Sequence, residues 1–458
     1  MSDPVAFIHG LAFSDLPDAV VAQAKRCLLD LVGVAAAGRA TALSRIVHAY
    51  AVSQMGAASG GARLIFDGRR ASPTGAAFAG ASTIDAFDAH DGHRLTKGHA
   101  GVALLPALLA AMDSSGRFDG RELLTALVLG YEVATRAGLA LHASASDYHT
   151  SGAWNALGCA AVLARALSLT GAQTRHALGI AEYHGPRSQM MRCIDHPTMV
   201  KDGSGFGALA GVSAAYLAAA GFTGAPAVLV EDGPAAIWGD LGRRWTILEQ
   251  YFKPYPVCRW AQPAAEAAAS LLRGDLDASR IGAIEIRTFG HGVRLGTRHP
   301  ESTEEAQYAI GFPVAALLVR GRLGADEIMA GGLADPAIRA MAARIRLVED
   351  AAFSARFPAE RIAVVTFTLD DGTVLTSPPT PARGDPEAPL SDDEVRAKFR
   401  ILTGRLTTTR RAAIERAVAN LDRSASAAAD FGDAVLAPVE EAASDRGFAR
   451  DRGERHGV

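Results

Sequence analysis

The chain has 458 residues, 49% of them hydrophobic, enough to fill more than one core and to form two or three domains. With 46 Lys and Arg against 49 Asp and Glu its formal net charge is −3, which gives no electrostatic basis for binding nucleic acid or an anionic membrane surface. Four widely spaced cysteines, Cys27, Cys159, Cys193 and Cys258, form no CxxC pair, which suits a reducing cytoplasm and argues against a structural zinc site. The N-terminus has no basic n-region and only a short apolar run, so no signal peptide is expected. No uninterrupted apolar run of about eighteen residues predicts a membrane span.

From Leu16 onward, Val21, Ala24, Leu28, Leu31 and Val32 recur at the spacing of one buried helix face, with Pro17 near the start and Gly38 at the end. The same period predicts helices over 44–55, 75–89, 101–112, 120–139, 153–167, 174–181 and 204–220. Small side chains dominate them and strand signals are nearly absent, so this half reads as all-helical. Glycine, proline and isolated aromatics then lead into Lys253-Pro254-Tyr255-Pro256-Val257-Cys258, where two prolines force extended backbone and make a stiff connection.

Beyond it, 281–289 alternates like a strand, and 361–376 with Asp370-Asp371-Gly372 inside reads as a hairpin. Helical stretches at 304–319, 325–330 and 336–343 lie between them. The expected fold is mainly α, in which a smaller α/β domain at 265–385 separates the helical residues 1–264 from a helical remainder, 386–458, that could return to the first domain. The tail at 444–458 reads as frayed.

The chemically densest stretch is DAFDAHDGHRLTKGHAG, from Asp85 to Gly101, with three aspartates, three histidines and one lysine between apolar segments. If the upstream helix runs through 89, Asp85 and Asp88 point the same way and Asp91 continues the row. His99 falls beside the next helix's N-terminus, where free N–H groups favour an anion. Only five of the 46 basic residues are lysine, and Lys97, Lys201 and Lys253 fall in unusual local sequence. Lysine at such a place suggests a need for a compact cation whose pKa can fall on burial. His149 precedes an apolar helix that Thr150 or Ser151 could cap. Lys201 opens the loop Asp202-Gly203-Ser204-Gly205, whose amides could approach an anion.

No G-x-S-x-G elbow follows a strand, and neither a P-loop nor a dinucleotide fingerprint is present. Asp88, His90, Asp91, His93 and His99 could ligate a metal, without any recognised metal spacing to support it.

Taken together, LPDAVVAQAKRCLLDLVGVAAAG, the Asp85–Gly101 stretch with GVALLPALLA, GYEVATRAG, YHTSGAWNALGCAA, MVKDGSGFGALAGVSAAYLAAAGFTGAP, KPYPVCRWAQPAAEAA and ESTEEAQYAIGFPVAALL resemble the MmgE/PrpD family, in the right order. That family includes 2-methylcitrate dehydratase, cis-aconitate decarboxylase and iminodisuccinate epimerase. The resemblance implies a helical domain made from both chain ends, an inserted α/β lid, a homodimer, and an active site between domains that uses neither cofactor nor metal. It makes Asp88 and Asp91 the family's acidic pair, and aligns His99, His149, Lys201 and Lys253 with its other polar positions.

Several positions depart from the family's pattern. The Lys201 loop lacks a histidine that many members carry, Cys258 stands where the decarboxylase branch has a histidine, Gln262 stands where many relatives carry one, and Phe312 stands roughly where the decarboxylase branch has a tyrosine. These departures weigh most against decarboxylation.

The candidate catalytic set is Asp88, Asp91, His93, His99, His149 and Lys201; the candidate substrate-binding set is Lys97, Lys253, Cys258 and Arg259. The expected activity is proton abstraction next to a carboxylate of a di- or tricarboxylic acid, ending in dehydration. In this reading Lys201 and Lys253 anchor carboxylates, His99 and His149 exchange protons, and Asp88 and Asp91 orient them. Alternatives are an epimerase or isomerase of the same substrates, a decarboxylase, a metal-dependent hydrolase built on the Asp88 to His99 cluster, and a non-catalytic carboxylate-binding relative.

Overall fold

The computed structural model describes residues 3–117, 119–272, 276–296 and 299–439, so the tail at 444–458 lies outside it. The first half is a stack of helices: α1 (Asp18–Gly38), α2 (Ala42–Gln54), α3 (Pro73–Asp85), α4 (Gly101–Ser115), α5 (Gly120–Ser144), α6 (Gly152–Ala166), α7 (Gly171–His184) and α8 (Ser204–Ala219). Their ends follow local chemistry. Thr41, Ser72, Asp119 and Thr170 each accept a backbone N–H of the first turn of α2, α3, α5 and α7.

α8 packs closely on α6 and α3 because its helix face carries glycine. A Cβ at Gly211 would sit 2.2 Å from the Ala156 carbonyl oxygen, so a larger residue would push α8 off α6. The 25-residue α5 is long and apolar enough to span a membrane by length and composition, yet it lies buried inside this stack and carries the buried Glu132–Arg136 ion pair.

Gly92–His93 (β1) pairs antiparallel with Gln250–Tyr251 (β2), which brings the Asp/His-rich stretch alongside the Lys253 to Cys258 segment. Helix α9 (Gln262–Leu271) then leads to a five-stranded sheet of β3 (Ile281–Thr288), β4 (Ile345–Glu349), β5 (Ile362–Leu369), β6 (Val374–Thr376) and β7 (Thr380–Pro381). β3 lies between β4, to which it is parallel, and β5, to which it is antiparallel. β5 and β6 form the expected hairpin with Phe367 opposite Leu375. β4 has no counterpart among the sequence-derived elements: its IRLVE is short and follows directly on a helix, leaving no clear run of alternation.

Helices α10 (Thr303–Gln307) and α11 (Gly311–Arg320) replace the single helix expected at 304–319. Pro313 explains the interruption, because it has no N–H and its ring would displace the carbonyl four residues back; it is accommodated in the first turn of a new helix. Finally α12 (Asp392–Leu402), α13 (Thr408–Asn420) and α14 (Ala427–Leu436) are the last helices among the described residues, and both α12 and α13 pack against α1. One continuous apolar core runs from the N-terminal helices through the sheet to α14.

Candidate active site

The Asp85–Gly101 stretch is not the helical row its spacing suggested. α3 stops at Asp85, and the Gln307 side chain takes over the backbone beyond it: Gln307 Nε2 donates to the Ala86 carbonyl (3.1 Å) and Asp88 N donates to Gln307 Oε1 (2.8 Å). Freed from the helix, the three carboxylates diverge. Asp85 accepts from Ser204 N (3.3 Å) at the start of α8, so the anion at that N-terminus belongs to the chain itself. Asp88 is ion-paired through Oδ1 with the fully buried Lys253 ammonium. Asp91 accepts from the Tyr131 hydroxyl (2.8 Å).

A cavity opens where this stretch meets the segment after Lys253 and the N-terminal end of β5. Asp88, Lys97, His99, Cys258, Arg259 and Arg361 line it, with the phenols of Tyr148, Tyr251 and Tyr308. His99 is fixed from two sides. Its backbone N donates to Ser151 Oγ (2.9 Å), which therefore serves His99 rather than capping α6, and its Nδ1 lies 2.6 Å from the Asp91 carbonyl oxygen. A carbonyl can only accept, so Nδ1 carries the proton and Nε2 keeps its lone pair. Nε2 is 3.9 Å from Asp88 Oδ1. Burial first, then the charges of His90 and Lys253, hold the imidazole down at about 3, so it is neutral around pH 7.

The cavity's other groups are tuned as strongly. Burial alone would raise Asp88, but Lys253 with His99 and Lys201 holds it below the usual carboxylate range. Burial, then the Asp88 charge, pushes the Cys258 thiol up to about 12. Burial keeps Tyr148, Tyr251 and Tyr308 protonated well into alkaline pH. Arg259 is paired with Asp385 (2.7 Å) and stands over the Tyr251 ring, and Lys97 stands over the Tyr148 ring.

Of the ten candidate residues, Asp88, Lys97, His99, Cys258 and Arg259 come together as cavity lining. The other five lie around or beyond it. Lys253 grips Asp88 from behind. Lys201 donates to Gln307 Oε1 (2.7 Å), and its ammonium is 4.6 Å from the centre of the Tyr308 ring. His93 turns towards Glu249 (3.2 Å), and His149 stacks on His142 with Nδ1 on the Asp147 carbonyl (2.8 Å).

Arg361, Tyr308 and Gln307 carried no sequence signal of their own. Tyr308 sits in the break between α10 and α11, whereas Phe312 is buried in α11, so the phenylalanine at 312 takes no phenol out of the cavity.

Behind His99 lies a second buried group. Lys398 of α12 donates to Asp30 of α1 (2.6 Å) and to the Ala89 carbonyl (2.5 Å). Burial, then the Asp30 charge, pushes Asp91 up to about 7. In the unfolded chain Asp91 loses its proton near the ordinary value of about 3.9. Between those two values the folded state holds the extra proton, so this group's contribution to stability declines as pH rises from about 4 to 7 and stays low above that. An Asp91→Asn variant keeps an acceptor for Tyr131 without the ionisation. It is expected to exceed wild type by ~1.5 kcal/mol of stability at pH 5 and by ~4 kcal/mol at pH 8. Parallel melting curves at the two pH values check this, and equal shifts at both would refute it.

Asp88, His90 and His99 each offer a ligand atom within 4.8 Å of the others, the arrangement a divalent ion would use. The donor set fits poorly, because Lys253 already holds Asp88 Oδ1 and would place a second cation at the same oxygen. Asp91 and His93, counted with these residues from sequence, face Tyr131 and Glu249 instead.

Comparison with known proteins is consistent along most of the chain. The MmgE/PrpD N-terminal domain family matches residues 5–237 and the MmgE/PrpD C-terminal domain family residues 255–423. Cis-aconitate decarboxylase of Homo sapiens is 27% identical over 429 residues, covering 86% of this chain and 85% of that protein. A cis-aconitate decarboxylase-like protein of Aspergillus oryzae is 25% identical over 453 residues, covering 90% and 92%. The 2-methylcitrate dehydratase of Cupriavidus necator is 37% identical over a shorter match of 131 residues, 26% of this chain and 27% of that protein. With both of its domains matched in sequence order, the chain belongs to the MmgE/PrpD family.

Proposed function

We propose that the protein is a lyase that removes a proton next to a carboxylate of a small di- or tricarboxylic acid and then expels a β-hydroxyl as water. The observation that carries this reading is His99: a neutral imidazole, its Nδ1–H tied to a carbonyl and its Nε2 lone pair free, on the wall of a cavity rich in cations. Nε2 takes the α-proton, and the electron pair moves into the adjacent carboxylate as an enolate-like dianion. Lys97 and Arg259 on the cavity wall stabilise that charge. As the pair returns to form the double bond, the β-hydroxyl leaves with a proton. Tyr308 is a suitable donor, because it is protonated and has the Lys201 ammonium over its ring to offset the phenolate. Asp88 gives the imidazolium a nearby counter-charge once His99 is protonated. In this scheme Lys253 fixes Asp88 rather than touching substrate.

Decarboxylation is the second reading, favoured by the full-length similarity to proteins named for that reaction. Proton NMR in D₂O with citrate, 2-methylcitrate, cis-aconitate and iminodisuccinate separates the outcomes. Deuterium uptake beside a carboxylate with loss of the β-hydroxyl supports dehydration. Loss of a carboxylate supports decarboxylation, and exchange with inversion alone supports epimerisation. No exchange with any of them refutes the proposal, and bound stoichiometric metal would then point to a hydrolase.

A further inference from the structure

Arg361 immediately precedes β5, at the N-terminal end of an interior strand of the sheet, and is 3% exposed. It lines the same cavity as His99. Its only hydrogen bonds among the described residues are long ones to main-chain carbonyls, Pro358 (3.3 Å) and Arg94 (3.4 Å), and Nε has no partner. Arg259 beside it is neutralised by Asp385 at 2.7 Å, but among the described residues no carboxylate lies within ion-pair distance of Arg361. The same holds for the half-buried Lys97, whose ammonium rests on the Tyr148 ring.

A buried guanidinium without a counter-ion weakens the empty protein, because the charge has left water and gained only weak acceptors in return. Its planar fork of donors matches a carboxylate, and here part of that fork is unfilled and beside a cavity.

We propose that Arg361 receives a substrate carboxylate other than the one next to the carbon that His99 deprotonates, and so makes a second carboxylate a requirement for binding. The inference rests on the function proposed above and deepens it, since it names the group that distinguishes a polycarboxylate from a monocarboxylate. Arg361 also ties the sheet to the Asp/His-rich stretch through the Arg94 carbonyl, so a carboxylate bound there bridges the two parts of the cavity wall.

The test is calorimetric titration of the whole protein with tricarballylate, an unreactive tricarboxylate, and with butyrate as the monocarboxylate control. Wild type is expected to bind tricarballylate at least about 100-fold more tightly than butyrate, and Arg361→Gln to lose about 30-fold or more of the tricarballylate affinity. Arg361→Lys keeps the charge and loses the fork, so its affinity should fall about 10-fold; it also serves if the glutamine variant does not fold. Ligand-free Arg361→Gln should melt at or above wild type, which a purely structural arginine would not allow.

Affinities within threefold of wild type in the variants, or no tricarballylate binding by wild type, would overturn the proposal. The two readings fail separately. Arg361-dependent binding without deuterium exchange on any acid removes the lyase function and leaves the receptor. Exchange that proceeds in Arg361→Gln with an unchanged KM removes the receptor and leaves the lyase.

Discussion

His99→Gln is expected to lower kcat/KM by about 10³-fold while leaving the fold and tricarballylate binding nearly unchanged. Glutamine can keep the hydrogen bond to the Asp91 carbonyl through its amide, so the loop stays in place, but it cannot take a proton. The loss therefore measures proton acceptance rather than local collapse. The pH dependence is a second signature. Since His99 is held at about 3 in the free protein, its proton-accepting form is already populated at pH 5, and kcat/KM should show no fall from protonation of an ordinary histidine near 6.5. An inflection near 7 belongs to Asp91, whose carbonyl orients His99, and should disappear in Asp91→Asn. A His99→Gln enzyme within tenfold of wild type would show that another group is the base.

The parts of the molecule legible in the sequence are those whose signal is local. Helix periodicity placed α1 to α8 within a few residues, because their buried faces repeat every turn; Pro254 and Pro256 marked a non-helical segment after Lys253, but it bends through 254–257, with Val257 N on the Tyr255 carbonyl, instead of running extended. The Asp85–Gly101 stretch stood out because so many ionisable residues sit between apolar helices.

What could not be read is the direction each side chain takes. Asp85, Asp88 and Asp91 share a helical spacing, but α3 is ended by Gln307, a residue more than 200 positions away whose amide replaces the next helical hydrogen bonds. Arg361 is one arginine among many, beside a strand, and becomes conspicuous only when its burial and lack of a carboxylate partner are visible. Lys253 and Lys201 stood out by the rarity of lysine and are both buried, yet spacing does not reveal that one meets an aspartate of the chain and the other a tyrosine ring. Lys398 shares the rarity of lysine in this chain and gave no other sign, since its partners come from α1 and from the loop after α3.

Lys398→Met should cost roughly 3–5 kcal/mol of stability, a fall in Tm of about 3–5 °C. The ammonium lies between Asp30, 2.6 Å away, and the Ala89 carbonyl, and Lys398 and Asp30 are both buried. Removing it leaves Asp30 as an unpaired buried carboxylate with one oxygen already unpartnered, next to Asp91, whose raised pKa shows how little negative charge that region tolerates. The same change releases the carbonyl of Ala89, one residue from Asp88, so kcat should fall even at temperatures where the variant is folded.

The double variant Lys398→Met/Asp30→Asn separates the two effects. With no buried charge left unpaired, most of the lost Tm should return, because breaking a buried pair destabilises far more than replacing both members. The freed Ala89 carbonyl remains, so kcat should stay low. A single variant that melts within 2 °C of wild type, or a double variant that recovers neither property, would show that the Lys398–Asp30 pair does not hold the loop; recovery of stability without recovery of kcat would show that α12 and α1, far from each other in sequence, together set the position of the loop carrying Asp88 and Asp91.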